Sequence, residues 1–206
     1  MKFLGIVLFF LKRYFLEDGI VQDTNFYEQN YICKITYFKK LMDNKTKNFR
    51  YVDYLWDDEK AEALGNNQVE LFLYRSNILG ADLRITNYGG GNTSCKTIEK
   101  DPLTNEEVEV MWVKGSGGDI GTLTRQGIAG LYTGRLRDLK NVYQGLHDED
   151  RMVGLFNHCI YDLDSKAPSI DTPLHGLLPF AHIDHLHPDA LIAVAAAKDS
   201  EKVTKE

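Results

Sequence analysis

Cysteine, basic patches and long apolar runs are what this sequence lacks, and each shortage excludes something. Three cysteines stand far apart in 206 residues, at Cys33, Cys95 and Cys159. No Cys-x-x-Cys spacing occurs, so neither a disulfide framework nor a thiolate zinc knuckle is expected, and a reducing cytosol suits the chain. No basic stripe accompanies the net charge of −6, which argues against a nucleic-acid surface. The apolar run Phe3–Leu11 is nine residues long, between Lys2 and Lys12-Arg13. A bilayer span needs about 20 apolar residues, and no small-x-small cleavage site follows the run. A signal anchor is the competing reading of this segment. No membrane contact and a cytoplasmic location are the expectation.

Alanine and proline are also missing from Met1 to Lys60. Residues 1–50 hold nine Lys/Arg against five Asp/Glu, a balance of +4 that leaves −10 for the remainder. Residues 1–47 read as an extension unrelated to the fold, with Met42 as the expected native initiator. Over the whole chain, 43% apolar and 26% charged residues describe an ordinary globular protein with room for one domain.

Histidine is scarce too, yet three of the six fall in His182-Ile183-Asp184-His185-Leu186-His187. Side chains alternate along a strand, so His185 and His187 share one face about 6.5 Å apart at the backbone. Two such imidazoles can lean together to grip one metal ion at about 2.0–2.1 Å per Zn–N bond. His182 has the opposite parity. A satisfied polar spot at a strand end is the plainer alternative. Pro188 closes the strand, and Asp189 opens a helix.

The pattern upstream predicts mixed helices and strands. Asp57-Asp58-Glu59 suits a helix start. A helix is expected over Val69–Leu79, ended by Gly80, then a strand at Leu83–Thr86 and a tight loop at Gly89–Ser94. Glu107–Lys114 alternates as a strand and empties into Gly115-Ser116-Gly117-Gly118. Thr122 or Thr124 is expected to cap a helix reaching Leu139, and Asp148 another covering Met152 to Phe156. Ala190–Lys198 is apolar on most faces, so burial is expected. Such a mixture indicates a layered α/β domain.

Two glycine turns beside strands can present backbone N–H groups to a phosphate, although neither has the spacing of a P-loop or a dinucleotide fingerprint. Asp171, in Ser169-Ile170-Asp171-Thr172-Pro173-Leu174-His175, is a carboxylate with no basic neighbour in sequence. Taken alone it reads as a turn before a helix.

Four motifs in order, Gly91-Asn92-Thr93-Ser94, Lys114-Gly115-Ser116-Gly117, Ser169-x-Asp171-x-Pro173-x-His175 and His185-x-His187, resemble the class II aldolase/adducin family over residues 48–206. Within it the chain is similar to the aldolase half of bifunctional aldolase–dehydrogenases of rhamnulose 1-phosphate. The resemblance implies an α/β/α fold around a mainly antiparallel sheet, incomplete at the C-terminus. It implies zinc-dependent cleavage of L-rhamnulose 1-phosphate to dihydroxyacetone phosphate and L-lactaldehyde, in a homo-oligomer. His185 and His187 would be zinc ligands, Asp171 the acid/base, and Asn92, Ser116, Gly117 and Ser169 the phosphate holders. His175 and His182 would be structural, with Asp184 at most a support to the ligands.

This chain departs from that family in several places. Many relatives carry glutamate where Asp171 stands, and Ile170 replaces a frequent serine. Relatives supply a third zinc histidine well downstream, whereas none follows His187 here. The expectation is therefore the front part of a longer enzyme, inactive alone, with the third ligand beyond residue 206 and NAD used only by a separate dehydrogenase half. The alternatives are a non-catalytic adducin-like binding module and a sugar-phosphate 4-epimerase. A metal-dependent hydrolase barrel is discounted, because it needs many strands after the histidine pair.

Overall fold

The computed structural model describes residues 54–143 and 149–205. The Phe3–Leu11 run, Met42 and Asp148 lie outside the described residues. Capping sets the first two helices. The Asp57 carboxylate accepts the N–H groups of Glu59 and Lys60 at 3.1 and 3.2 Å, opening α1 (Asp58–Ala63). Asn67 does the same for Glu70 at 3.2 Å, opening α2 (Gln68–Ala81). α2 buries Val69, Phe72 and Leu73, and full burial of a side chain such as Phe72 is worth roughly 1.5–3 kcal/mol. Gly80 lies within this helix instead of ending it. A Cβ at Gly80 would sit 2.0 Å from the Gly121 nitrogen, so the glycine is there for close approach.

Four strands form one sheet: β1 (Asn92–Lys100), β2 (Glu107–Lys114), β3 (Ile128–Tyr132) and β4 (His182–His185). Their order is β3-β2-β1-β4, and every neighbouring pair is antiparallel. Alternation divides their residues between two cores. Cys95, Val110, Trp112 and Ile128 pack against α2 on one face. Met111, Val113, Ala129 and Leu131 pack on the other against Leu136, Leu139 and Phe156, from α3 (Thr133–Asp138), the turn after it and the turn after α4 (Glu149–Leu155). α5 (Thr172–Leu177) joins that layer, with Gly176 against Leu136. The layered α/β expectation holds, with a sheet that is wholly antiparallel among the described residues.

Local expectations fail in four further places. Leu83–Thr86 is a turn, because the Asp82 carboxylate accepts the Arg84 N–H at 3.0 Å and pairs with its guanidinium at 2.8 Å. The loop expected at Gly89–Ser94 ends at Gly91; Asn92 already belongs to β1. The single helix from Thr122 to Leu139 is instead two 3-10 turns, β3 and the short α3. The backbone at 128–132 is extended because it pairs with β2, and Gly130 leaves room for the Trp112 ring, where a Cβ would lie 2.7 Å from the indole.

The fourth is the last apolar helix. α6 (Asp189–Ala196) buries no residue, and Leu191 is 50% exposed. β4 is the sheet's edge strand, and after Pro188 the chain leads to α6 and α7 (Ser200–Lys205), which pack on each other. Apolar composition signals surface that wants a cover and does not supply one.

Candidate metal centre

Antiparallel pairing brings the start of β1, the end of β2 and the end of β4 to one end of the sheet. Asn92 lies opposite His185, and its amide nitrogen donates to the Lys114 carbonyl at 3.3 Å. The Gly89–Gly91 turn enters β1 here and the Gly115–Gly118 turn leaves β2. Gly91 has φ +77°, and a Cβ would meet the His185 carbonyl at 2.7 Å, so glycine is required beside the histidine strand.

β4 ends at His185, so the strand alone does not aim His187. The turn that replaces the expected strand does so. The His187 N–H donates to Thr86 Oγ1 at 3.2 Å, and the Asn87 N–H donates to the His187 carbonyl at 3.0 Å. The two rings then meet edge to face, 4.7 Å between centroids, with their Nε2 atoms 3.1 Å apart. His182 and Asp184 point to the opposite face. There Arg75 of α2 binds His182 Nδ1 at 2.8 Å, Asp184 at 3.1 Å and the Ser94 carbonyl at 2.7 Å, fastening β4 to the helix.

Asp171 stands just before α5 without capping it. Its carboxylate accepts the Ser169 hydroxyl at 3.2 Å, and its other oxygen lies 3.8 Å from His185 Nδ1. That exceeds a hydrogen bond and falls within reach of a shared substrate. The side chains of His185 and Asp171 are 23% and 32% exposed, so both are shielded yet open to a ligand. Burial lowers the pKa of His185, partly opposed by Asp171 and reinforced by His187. Burial thus favours the neutral form of the ring.

Ser169 is delivered to the second glycine turn by the chain before it. Gly115 pairs with Pro168, and the Ser116 N–H donates to the Ala167 carbonyl at 2.8 Å. With that amide committed, the donors left to an anion are the Ser116 hydroxyl and the amides of Gly117 and Gly118, both at positive φ. Ser116 and Gly117 are exposed; Asn92 and Ser169 are buried. Asp119 ties the two glycine turns together, accepting from Gly89 N–H at 2.8 Å and Gly121 N–H at 2.9 Å.

Sequence reasoning missed Thr86, Asp119 and Lys114. Lys114 is 4% exposed, and burial lowers its pKa against the opposing pull of Asp171 and Asp119. A lysine ending the apolar run Val110-Met111-Trp112-Val113, directly before a glycine turn, was its visible signal.

Two imidazole nitrogens 3.1 Å apart fit two corners of a zinc site, where Zn–N bonds of about 2.05 Å at tetrahedral angles separate the nitrogens by about 3.3 Å. A catalytic zinc has three protein ligands, and no group of three His, Cys, Asp or Glu side chains is so arranged among the described residues. The two imidazoles would fill at most two positions of a coordination shell.

No protein-family model matches the chain. The N-terminal class II aldolase domain of a conserved Thermoplasma acidophilum protein superposes with a TM-score of 0.58, covering 78% of this chain and 69% of that one at 24% identity. The chain has the class II aldolase fold. The uncharacterized oxidoreductase YuxG of Bacillus subtilis is 41% identical over 155 residues, 75% of this chain. The class II aldolase-like chain spans only 22% of that relative's length. No described helix is long and apolar enough to cross a membrane.

Proposed function

We propose that this chain carries the metal-dependent aldolase centre of a longer polypeptide, which cleaves a ketose 1-phosphate, L-rhamnulose 1-phosphate, to dihydroxyacetone phosphate and L-lactaldehyde. The observation that carries the reading is the 3.1 Å pairing of His185 and His187 Nε2 beside the Asp171 carboxylate, at the sheet end where two glycine turns and Ser169 gather. His185 and His187 would hold a divalent zinc ion. When bound, such an ion polarises the ketose carbonyl and draws off the charge that develops as the carbon–carbon bond breaks. The third protein ligand belongs outside the described residues.

The chain's own residues do the rest. Asp171 moves the proton exchanged between the substrate hydroxyl and the carbon left behind, with Ser169 holding one of its oxygens in place. The Ser116 hydroxyl and the Gly117 amide receive the phosphate, and the Lys114 ammonium adds positive charge beside Asp171, whereas the expected phosphate holders Asn92 and Ser169 spend their side-chain donors on the Lys114 carbonyl and the Asp171 carboxylate. The Bacillus relative, an uncharacterized oxidoreductase of much greater length, suits a polypeptide in which a separate NAD-dependent half oxidises the aldehyde product. The expected partner set is a sugar phosphate and further copies of the chain.

The test is the zinc-loaded longer polypeptide that contains this chain, given L-rhamnulose 1-phosphate and read by release of dihydroxyacetone phosphate. Asp171→Ala is expected to cost about 10²–10⁴ in rate. An untouched substrate, with wild type and Asp171→Ala alike, rejects the reading. Failure to bind zinc favours a non-catalytic adducin-like module instead.

A further inference from the structure

Two buried nitrogens have no hydrogen-bond partner among the described residues: Nε2 of His175 and Nδ1 of His185. Folded proteins leave few such atoms, and a buried water with two or more polar neighbours is the common answer. The strand register explains why both rings stand on one face. Asn92 pairs with His185 and Ser94 with Ile183, so the Ser94 and His185 side chains project to the same side of the sheet. His175 comes one helical turn after Asp171 and is wholly buried, its Nδ1 2.7 Å from Ser94 Oγ. The His175 N–H donates to the Asp171 carbonyl at 3.4 Å and the Asp171 carboxylate lies 3.8 Å from His185 Nδ1, so the two rings flank the same residue.

We infer that His175 is a positioning residue for His185, joined to it by one buried water that bridges His175 Nε2 and His185 Nδ1. The inference draws its functional meaning from the metal-site reading above, since a ligating His185 must present a bare Nε2. Its proton then sits on Nδ1, which donates to the water. The water gives one hydrogen to His175 Nε2 and has a second for Asp171. Nδ1–H of His175 donates to Ser94 Oγ. Every orphaned atom in the chain of contacts is thereby satisfied, and the His185 ring is held against rotation. Asp171, too far from Nδ1 for a direct bond at 3.8 Å, keeps an oxygen for substrate.

The test is 1H–15N NMR of the histidine rings in the full chain, with zinc chloride titrated beside it. Metal-free wild type is expected to show His185 as the Nδ1–H tautomer with a slowly exchanging water next to it. His175→Phe keeps the bulk and removes both nitrogens. It should give mixed His185 tautomers and zinc affinity lower by about 10–100-fold, partly rescued in His175→Gln. Should His175→Phe fail to fold, Ser94→Ala releases the far end of the chain of contacts and moves the same His185 signal. An Nε2–H His185 in wild type overturns the inference, as does a folded His175→Phe with unchanged tautomer and zinc affinity. The two readings fail separately. Wild type that binds no zinc but shows the His175-dependent tautomer defeats the proposed function alone. Ketose cleavage with an indifferent His175→Phe defeats this inference alone.

Discussion

At the scale of single residues, the candidate centre depends on how His187 is aimed after its strand has ended. β4 stops at His185, and a free backbone two residues further on would swing. Thr86, fully buried, supplies the oxygen that receives the His187 N–H at 3.2 Å. Thr86→Val keeps the branched shape and removes that acceptor, leaving a buried N–H unpaired. We expect a folded protein whose zinc affinity drops about tenfold, as for other groups that orient ligands, measured by competition with a chromophoric chelator. Unchanged affinity would mean that the ring is held by something other than its backbone. The histidine pair itself was legible in sequence as a cluster, although the strand period invoked for it stops at His185 and the Thr86 turn aims the second ring. Thr86 was not, because its role depends on a turn made by the Asp82 carboxylate, and the local pattern there imitates a strand.

Among elements, packing overrides pattern in both directions. β2 was legible from alternation, since its apolar residues face two cores. β1 was not, because it opens with Asn92, Thr93 and Ser94, all fully buried and polar. Their burial makes sense only with Ser76, Lys114 and His175 as partners, none adjacent in sequence. α2 and the turn at Ile120–Thr122 meet backbone to backbone at Gly80 and Gly121. Gly80→Ala puts a methyl group into that contact, and overpacking of this kind costs about 1–3 kcal/mol. Because Asp119 carries the same turn to the Gly89 loop, the loss is expected in thermal stability, by roughly 2–4 °C for each kcal/mol, and in the glycine turns together. α6 gives the opposite expectation. With Leu191 half exposed, Leu191→Glu should change stability read from the urea midpoint by no more than about 0.5 kcal/mol.

For the molecule as a whole, burying imidazoles beneath an antiparallel sheet sets how stability depends on pH. Burial, reinforced by the charge of His185, pushes the pKa of His175 down to about 4 from 6.5. Burial and then the Arg75 guanidinium lower His182 as well. Between those values the unfolded chain binds a proton that the folded chain refuses. Stability from this source is complete above pH 6.5 and is lost as pH falls towards 4, below which it falls no further. For His175 the span corresponds to about 3 kcal/mol. Carboxylates act in a separate, lower window. Hydrogen bonds from Arg84 hold Asp82 below its usual 3.8, and the Thr104 and Tyr132 donors do so for Asp101. Their stabilisation is intact above 3.8 and disappears only as pH falls through the lowered values. Urea midpoints of metal-free protein should therefore decline first between pH 6.5 and 4, then again in stronger acid. A folded His175→Phe should lose most of the first decline and keep the second. A midpoint that stays level from pH 7 to 4.5 would show that His175 is not held neutral by its surroundings, and the packing of α5 over β1 would need another account.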